Sequence, residues 1–176
     1  VDDAGLVIAN LRSNSSSRIG SVFARLDQNT GAVRVFGTQP YLDRNYEITV
    51  DNQPTSPVDI QFFFTDADYN ALAAADPNVS MTTLGVTRLP SAACAAVYDP
   101  TGQTPEFLVQ TGNGSSNGVR YIVVPTPGFS SFFIHAGNGP LDIQLVAISA
   151  ENVDRRNRID WITSSEEVGD RFSVER

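Results

Sequence analysis

His135 is the only histidine in the chain, so any nucleophilic triad would have to be built on it. Ser131 lies four residues earlier on the same strand-like run and on the same face. Four strand residues span roughly 13 Å, too far for a hydrogen bond. No Gly-x-Ser-x-Gly turn leads into a helix either. His135 therefore reads as a half-buried strand residue. Cys94 is the only cysteine and stands among Ala92, Ala93, Ala95 and Ala96. That setting suits a buried packing residue, with a reactive or intermolecular thiol as the alternative use. One cysteine and one histidine cannot supply a zinc site.

Asp66, Asp68 and Asn70 match the first half of a calcium loop. Such a loop then needs Gly at its sixth place and a bidentate Glu at its twelfth. Ala71 and Pro77 stand there instead, so the run reads as a helix start. Calcium held by loop carboxylates at Asp2, Asp3, Asp51 or Asp99 stays open, and no other cofactor is expected. Glu166 and Glu167 are adjacent, which sends them to opposite sides of an extended segment rather than across a glycosidic bond. Tyr41, Tyr46, Tyr69, Tyr98 and Tyr121 are candidate glycan contacts, most of them expected in the core or at its rim. No Gly-rich run leads from a strand into a helix as a phosphate loop does. The expectation is a protein that is not an enzyme.

The elements that position these residues read as all-β: an antiparallel β-sandwich, Ig-like or jelly-roll-like, with one short connecting helix. Strand signals fall at 6–11, 21–26, 32–36, 46–50, 58–64, 86–89, 107–110, 119–124 and 131–135, with three more at 141–150, 158–163 and 171–175. Val58, Ile60, Phe62 and Phe64 alternate with Asp59, Gln61 and Phe63, which places one apolar face on a core. Residues 27–31 read as a hairpin loop joining two of the runs, and residues 111–118 as a long flexible tip. Residues 65–75 are Ala-rich, with Thr65 as N-cap, acids in the first turn and Asp76-Pro77 as the stop. This helix is expected to connect strands of opposite sheets. Gly137-Asn138-Gly139-Pro140 marks a boundary between a sandwich body, 1–139, and a C-terminal strand segment, 140–176.

Composition bounds the partners. The 176 residues are 41% hydrophobic, enough for a sizeable core. No apolar run approaches the ~18 residues that span a bilayer, so membrane insertion is not expected. Net charge is −8 and every basic residue is an arginine. A nucleic-acid binder needs a dense basic face, and none is visible.

The C-terminal segment carries a resemblance. Trp161, Thr163, Ser165 and Glu166 are followed by Phe172, Val174, Glu175 and Arg176. This pattern resembles the opening of the β-sandwich near the C-terminus of bacterial surface proteins exported by type IX secretion. The family pattern is a Leu-Pro-Val-type strand, then Trp-x-Thr-x-Ser-Glu, then Phe-x-Ile/Val-Glu-Arg. Asp142 departs from the usual Pro, and the family continues with further strands beyond the place of Arg176. Tyr41, Leu42, Arg44, Tyr46 and Ile48, with Phe129, Ser130 and Phe132, resemble the module that precedes it. The resemblance implies an extracellular or cell-surface location. It also implies an incomplete second sandwich, whose strands must fold back, be completed by further chain, or pair with a neighbour. Leu141, Ile143, Leu145, Ile159, Trp161, Phe172 and Val174 are the residues expected at that packing or assembly joint. The leading expectation is a structural or adhesive module, possible as a surface-filament subunit joined by strand exchange or as a neighbour to other domains of a larger exported protein. The alternatives are a glycan- or ligand-binding accessory module and a plain spacer.

Overall fold

A computed structural model describes residues 5–12, 18–90, 97–137, 145–153 and 156–163. The chain divides into two compact units, Val1–Leu141 and Asp142–Arg176. The first unit is an antiparallel β-sandwich. One sheet contains β1 (Ala9–Arg12), β5 (Val58–Thr65), β8 (Gly112–Ser116) and β9 (Val119–Thr126), in the order β1-β5-β9-β8. The other contains β2 (Val22–Gln28), β4 (Gln39–Val50), β6 (Leu84–Leu89), β7 (Glu106–Val109) and β10 (Ser131–Ala136), in the order β2-β4-β10-β6-β7. The two-residue β3 (Val35–Phe36) also pairs with β4.

Alternation sets the core. β5 buries Val58, Ile60, Phe62 and Phe64, while the residues between them stay half-exposed. Phe62 lies between Tyr46 and Phe132 of the facing sheet, at ring-centroid distances of 4.8 and 5.2 Å. The Tyr46 hydroxyl donates to the Phe63 carbonyl at 2.7 Å, so its polar end is satisfied inside the sandwich. β6 and β10 are buried along their whole length. A second apolar layer of Tyr41, Leu89, Tyr98 and Phe133, with Phe36 against it, contributes to that burial.

The helix α1 (Asp66–Ala75) connects β5 of one sheet to β6 of the other. Thr65 caps it, accepting from the Asp68 amide, while Asp68 reaches back to the Thr65 amide. This reciprocal pair satisfies two amides that a helix start leaves over. Asp76 ends the helix in an extended conformation before Pro77, as expected for a residue preceding proline.

Two sequence expectations are corrected. The loop at 27–31 does not close a hairpin between its flanking runs; β2 and β3 each pair with β4. β4 is 12 residues long and accommodates both partners on separate stretches. Asn29 ties the loop to it, its amide donating to the Asp43 carbonyl at 2.9 Å and its side chain to the Asp43 carboxylate at 3.0 Å. The second correction is the tip at 111–118, which forms β8 and a tight turn. Asn117 and Gly118 both have positive φ, 52° and 80°, as a two-residue hairpin turn requires. Only Asn and Gly enter that region at low cost, so the Asn-Gly pair was the local signal for the hairpin.

Gly85 in β6 is required by packing rather than by a turn. A Cβ there would lie 2.3 Å from the Phe107 ring. Gly85→Ala should therefore displace Phe107 and cost about 1–3 kcal/mol, read as a lower urea midpoint. An unchanged midpoint would mean the ring moves aside freely.

The second unit contains β11 (Leu145–Val153) and β12 (Arg156–Thr163), paired antiparallel. The strand expected at 171–175 lies outside the described residues.

Candidate functional site

The histidine is satisfied by its own sheet. His135 is 1% exposed, not half-buried, because β10 is an inner strand covered on both faces. Its Nδ1 lies 2.9 Å from the Ala136 carbonyl and its Nε2 2.7 Å from the Thr87 hydroxyl. A carbonyl only accepts, so Nδ1 carries the proton and Nε2 accepts from Thr87. Ser131 sits at the far end of the strand, opposite Glu47 and Leu89, whereas His135 sits opposite Tyr41 and Gly85. The two do not form a nucleophile–base pair.

Burial pushes the His135 pKa down to about 4, against the raising influence of the Ala136 carbonyl and of Asp76. Below pH 6.5 the unfolded chain binds a proton that the folded chain refuses until about pH 4. The contribution is complete above pH 6.5 and falls away as pH drops through that window, by about 3 kcal/mol at most. Chemical unfolding from pH 7 to 4 should show this loss, and His135→Gln should flatten it relative to the parent. Equal slopes in the two proteins would overturn the assignment.

The acids and tyrosines are similarly engaged. Asp68 accepts from Arg44 at 2.6 Å and Asp66 from Arg120 at 2.6 Å. The acid pair that resembled a calcium loop thus serves the helix start and two arginines. Among the described residues no group of three or more His, Cys, Asp or Glu side chains is placed to hold a metal. Asp51 accepts from the Ser21 amide, which lowers its carboxyl pKa, and the side chain and then the amide of Thr101 lower that of Asp99. Asp2, Asp3, Cys94, Glu166 and Glu167 lie outside the described residues. Tyr41, Tyr46 and Tyr98 are buried. Tyr69 lies beneath the Arg120 guanidinium, 4.0 Å from ring centroid to Cζ. Tyr121 alone joins an aromatic pair on an outer face, with Phe63 at 6.0 Å and a tilt of 55°.

Of the expected assembly residues, Leu145, Ile159 and Trp161 lie on the β11–β12 pair. Leu145 is opposite Thr163, Ile148 opposite Trp161, and Ala150 opposite Ile159. Leu141, Ile143, Phe172 and Val174 lie outside the described residues.

The feature that sequence reasoning missed is an edge. The first sheet ends in the four-residue β1, which carries Asn10 and Arg12, and in β8, which is Gly, Asn and Ser only. The second ends on one side in β7, four residues long, whose Glu106 is held by Arg88 at 2.8 Å. Shortness, charge and polar composition blunt those edges. β2 is longer and carries a single charge, Arg25, along its first half. It is seven residues long, and Val22, Phe23, Ala24 and Arg25 are all exposed, Phe23 by 64%. The sequence Val-Phe-Ala reads as core, and only the strand order reveals that it is rim. The chain matches no protein-family model, no curated protein and no solved structure.

Proposed function

We propose that this chain is a non-enzymatic structural or adhesive module that acts by associating through sheet edges. The observation that carries the reading is β2, a seven-residue edge strand whose first three residues, Val22, Phe23 and Ala24, are apolar and exposed. The neutral, fully hydrogen-bonded His135 and the arginine-held acids support a scaffold rather than a reaction site. The proposed setting is the cell surface, following the resemblance of the Trp161 segment to exported surface proteins. A filament joined by exchange of the C-terminal strands is the most specific form of this proposal. Negative-stain electron microscopy and sedimentation of the native material test it. Regular fibres or defined oligomers are the expected result, and separate single particles at high concentration would sink the reading.

A second reading, a glycan-binding accessory module, draws on Phe63 and Tyr121. The Tyr121 ring lies beside Gly114, where an added Cβ would come within 2.6 Å of its hydroxyl. Stacking on a sugar favours an open, flat aromatic face, and the 55° tilt weakens this reading against assembly. Binding on a glycan array that Tyr121→Ala abolishes would favour it.

A further inference from the structure

We infer that β2 is a two-fold dimerisation edge, pairing antiparallel with β2 of a second copy about an axis at Ala24. This rests on the self-association reading and names its partner and register.

The backbone fixes which groups are free to pair. In the β2–β4 ladder the Asp51 amide donates to the Ser21 carbonyl and the Asn29 amide to the Asp43 carbonyl. The register runs unbroken between them, so Phe23, Arg25 and Asp27 also direct their backbone groups at β4. Val22, Ala24, Leu26 and Gln28 therefore direct theirs outward. A second β2 can bond only where these residues face their own kind, which restricts the two-fold axis to a residue position.

Side chains then choose among the positions. An axis at Arg25 sets two arginines face to face, which is repulsive. An axis at Leu26 sets Arg25 against Asp27, but Asp27 already lies 3.5 Å from Arg34, and Phe23 falls opposite Asn29 beyond the strand end. An axis at Phe23 leaves only Val22–Ala24 paired within the strand. The axis at Ala24 pairs Val22 with Leu26, Phe23 with Arg25, and the small Ala24 with itself. It covers the two exposed hydrophobic side chains of the strand, Val22 and Phe23. It also lays an arginine against each Phe23 ring, a favourable cation–π arrangement.

The test is sedimentation velocity on the chain and two variants over the micromolar to millimolar range, with cross-linking of two cysteine variants beside it. Ala24→Pro removes an N–H that points away from β4, so the internal ladder survives while the joint loses a central bond. Phe23→Lys sets a lysine against Arg25 of the second copy. Each should weaken dimerisation about tenfold or more, with the unfolding transition retained. In a Cys94→Ser background, Ala24→Cys should form a disulfide-linked dimer on mild oxidation, because residues facing across the axis lie at bridging distance, while Leu26→Cys should not. A parent protein that stays monomeric overturns both this inference and the assembly reading. A parent that associates while Phe23→Lys and Ala24→Pro associate equally well overturns the edge alone, as does cross-linking at Leu26 but not at Ala24.

Discussion

Asp68→Ala should lower stability by about 3–5 kcal/mol, well beyond the ~1 kcal/mol of an ordinary helix cap. One oxygen, Oδ2 of Asp68, accepts from the Thr65 amide at 2.8 Å, the Thr65 hydroxyl at 2.5 Å and Arg44 Nε at 2.6 Å. The side chains of Arg44 and Asp68 are only 4% and 9% exposed. Removing the carboxylate takes the matching charge from a buried guanidinium, and that penalty dominates the loss. The reverse change is milder. Arg44→Met leaves Asp68 its two Thr65 donors and should cost about 1–2 kcal/mol. The double variant should therefore be less damaged than the sum of the singles, since it buries no charge without its partner. Urea midpoints of the four proteins measure this. If Asp68→Ala costs no more than Thr65→Ala, the buried pair contributes nothing beyond the cap.

The same residues show why this part of the fold was legible. A cap depends on residues three apart, so Thr65 and Asp68 announce α1 without help from the rest of the chain. The alternation in β5 is also local, and it located a core strand correctly. What could not be read depends on distant partners. Gly112–Ser116 has almost no strand propensity; pairing with β9 makes it a strand, and the Tyr121 ring lies close over Gly114. The choice of β4 over β3 as the partner of β2 is a matter of strand order, and no turn signal encodes it.

The candidate site was less legible than the fold for the same physical reason. His135 reads as half-buried from its place at a strand end, but β4 and β6 on either side and a second apolar layer bury it completely. Val22 and Phe23 are ordinary core types by composition, yet they lie on an outermost strand. A residue's neighbours decide whether it packs or presents itself, and those neighbours come from elsewhere in the sequence. The assembly residues expected from Trp161 and Ile159 are placed on β12, opposite Ile148 and Ala150.

Phe62→Ala should cost about 3–5 kcal/mol, comparable to the loss of the buried ion pair but by a different mechanism. Phe62 is fully buried on β5 and touches Tyr46 of β4 and Phe132 of β10, so it links the two sheets near the middle of the sandwich. Truncation removes apolar burial from both sheets and leaves a cavity that flanking strands cannot readily close. The ladder through β1 and β9 is unaffected by the side chain, which separates packing from hydrogen bonding. Phe62→Leu retains most of the volume and should cost roughly 1–1.5 kcal/mol, mainly through the lost ring contacts. The loss should also be insensitive to salt, since the substitution removes no charge. Urea unfolding of both variants at two salt concentrations tests this. A Phe62→Ala loss below that of Phe62→Leu would show that the sandwich collapses around the gap, and that the two sheets are not held together at this ring.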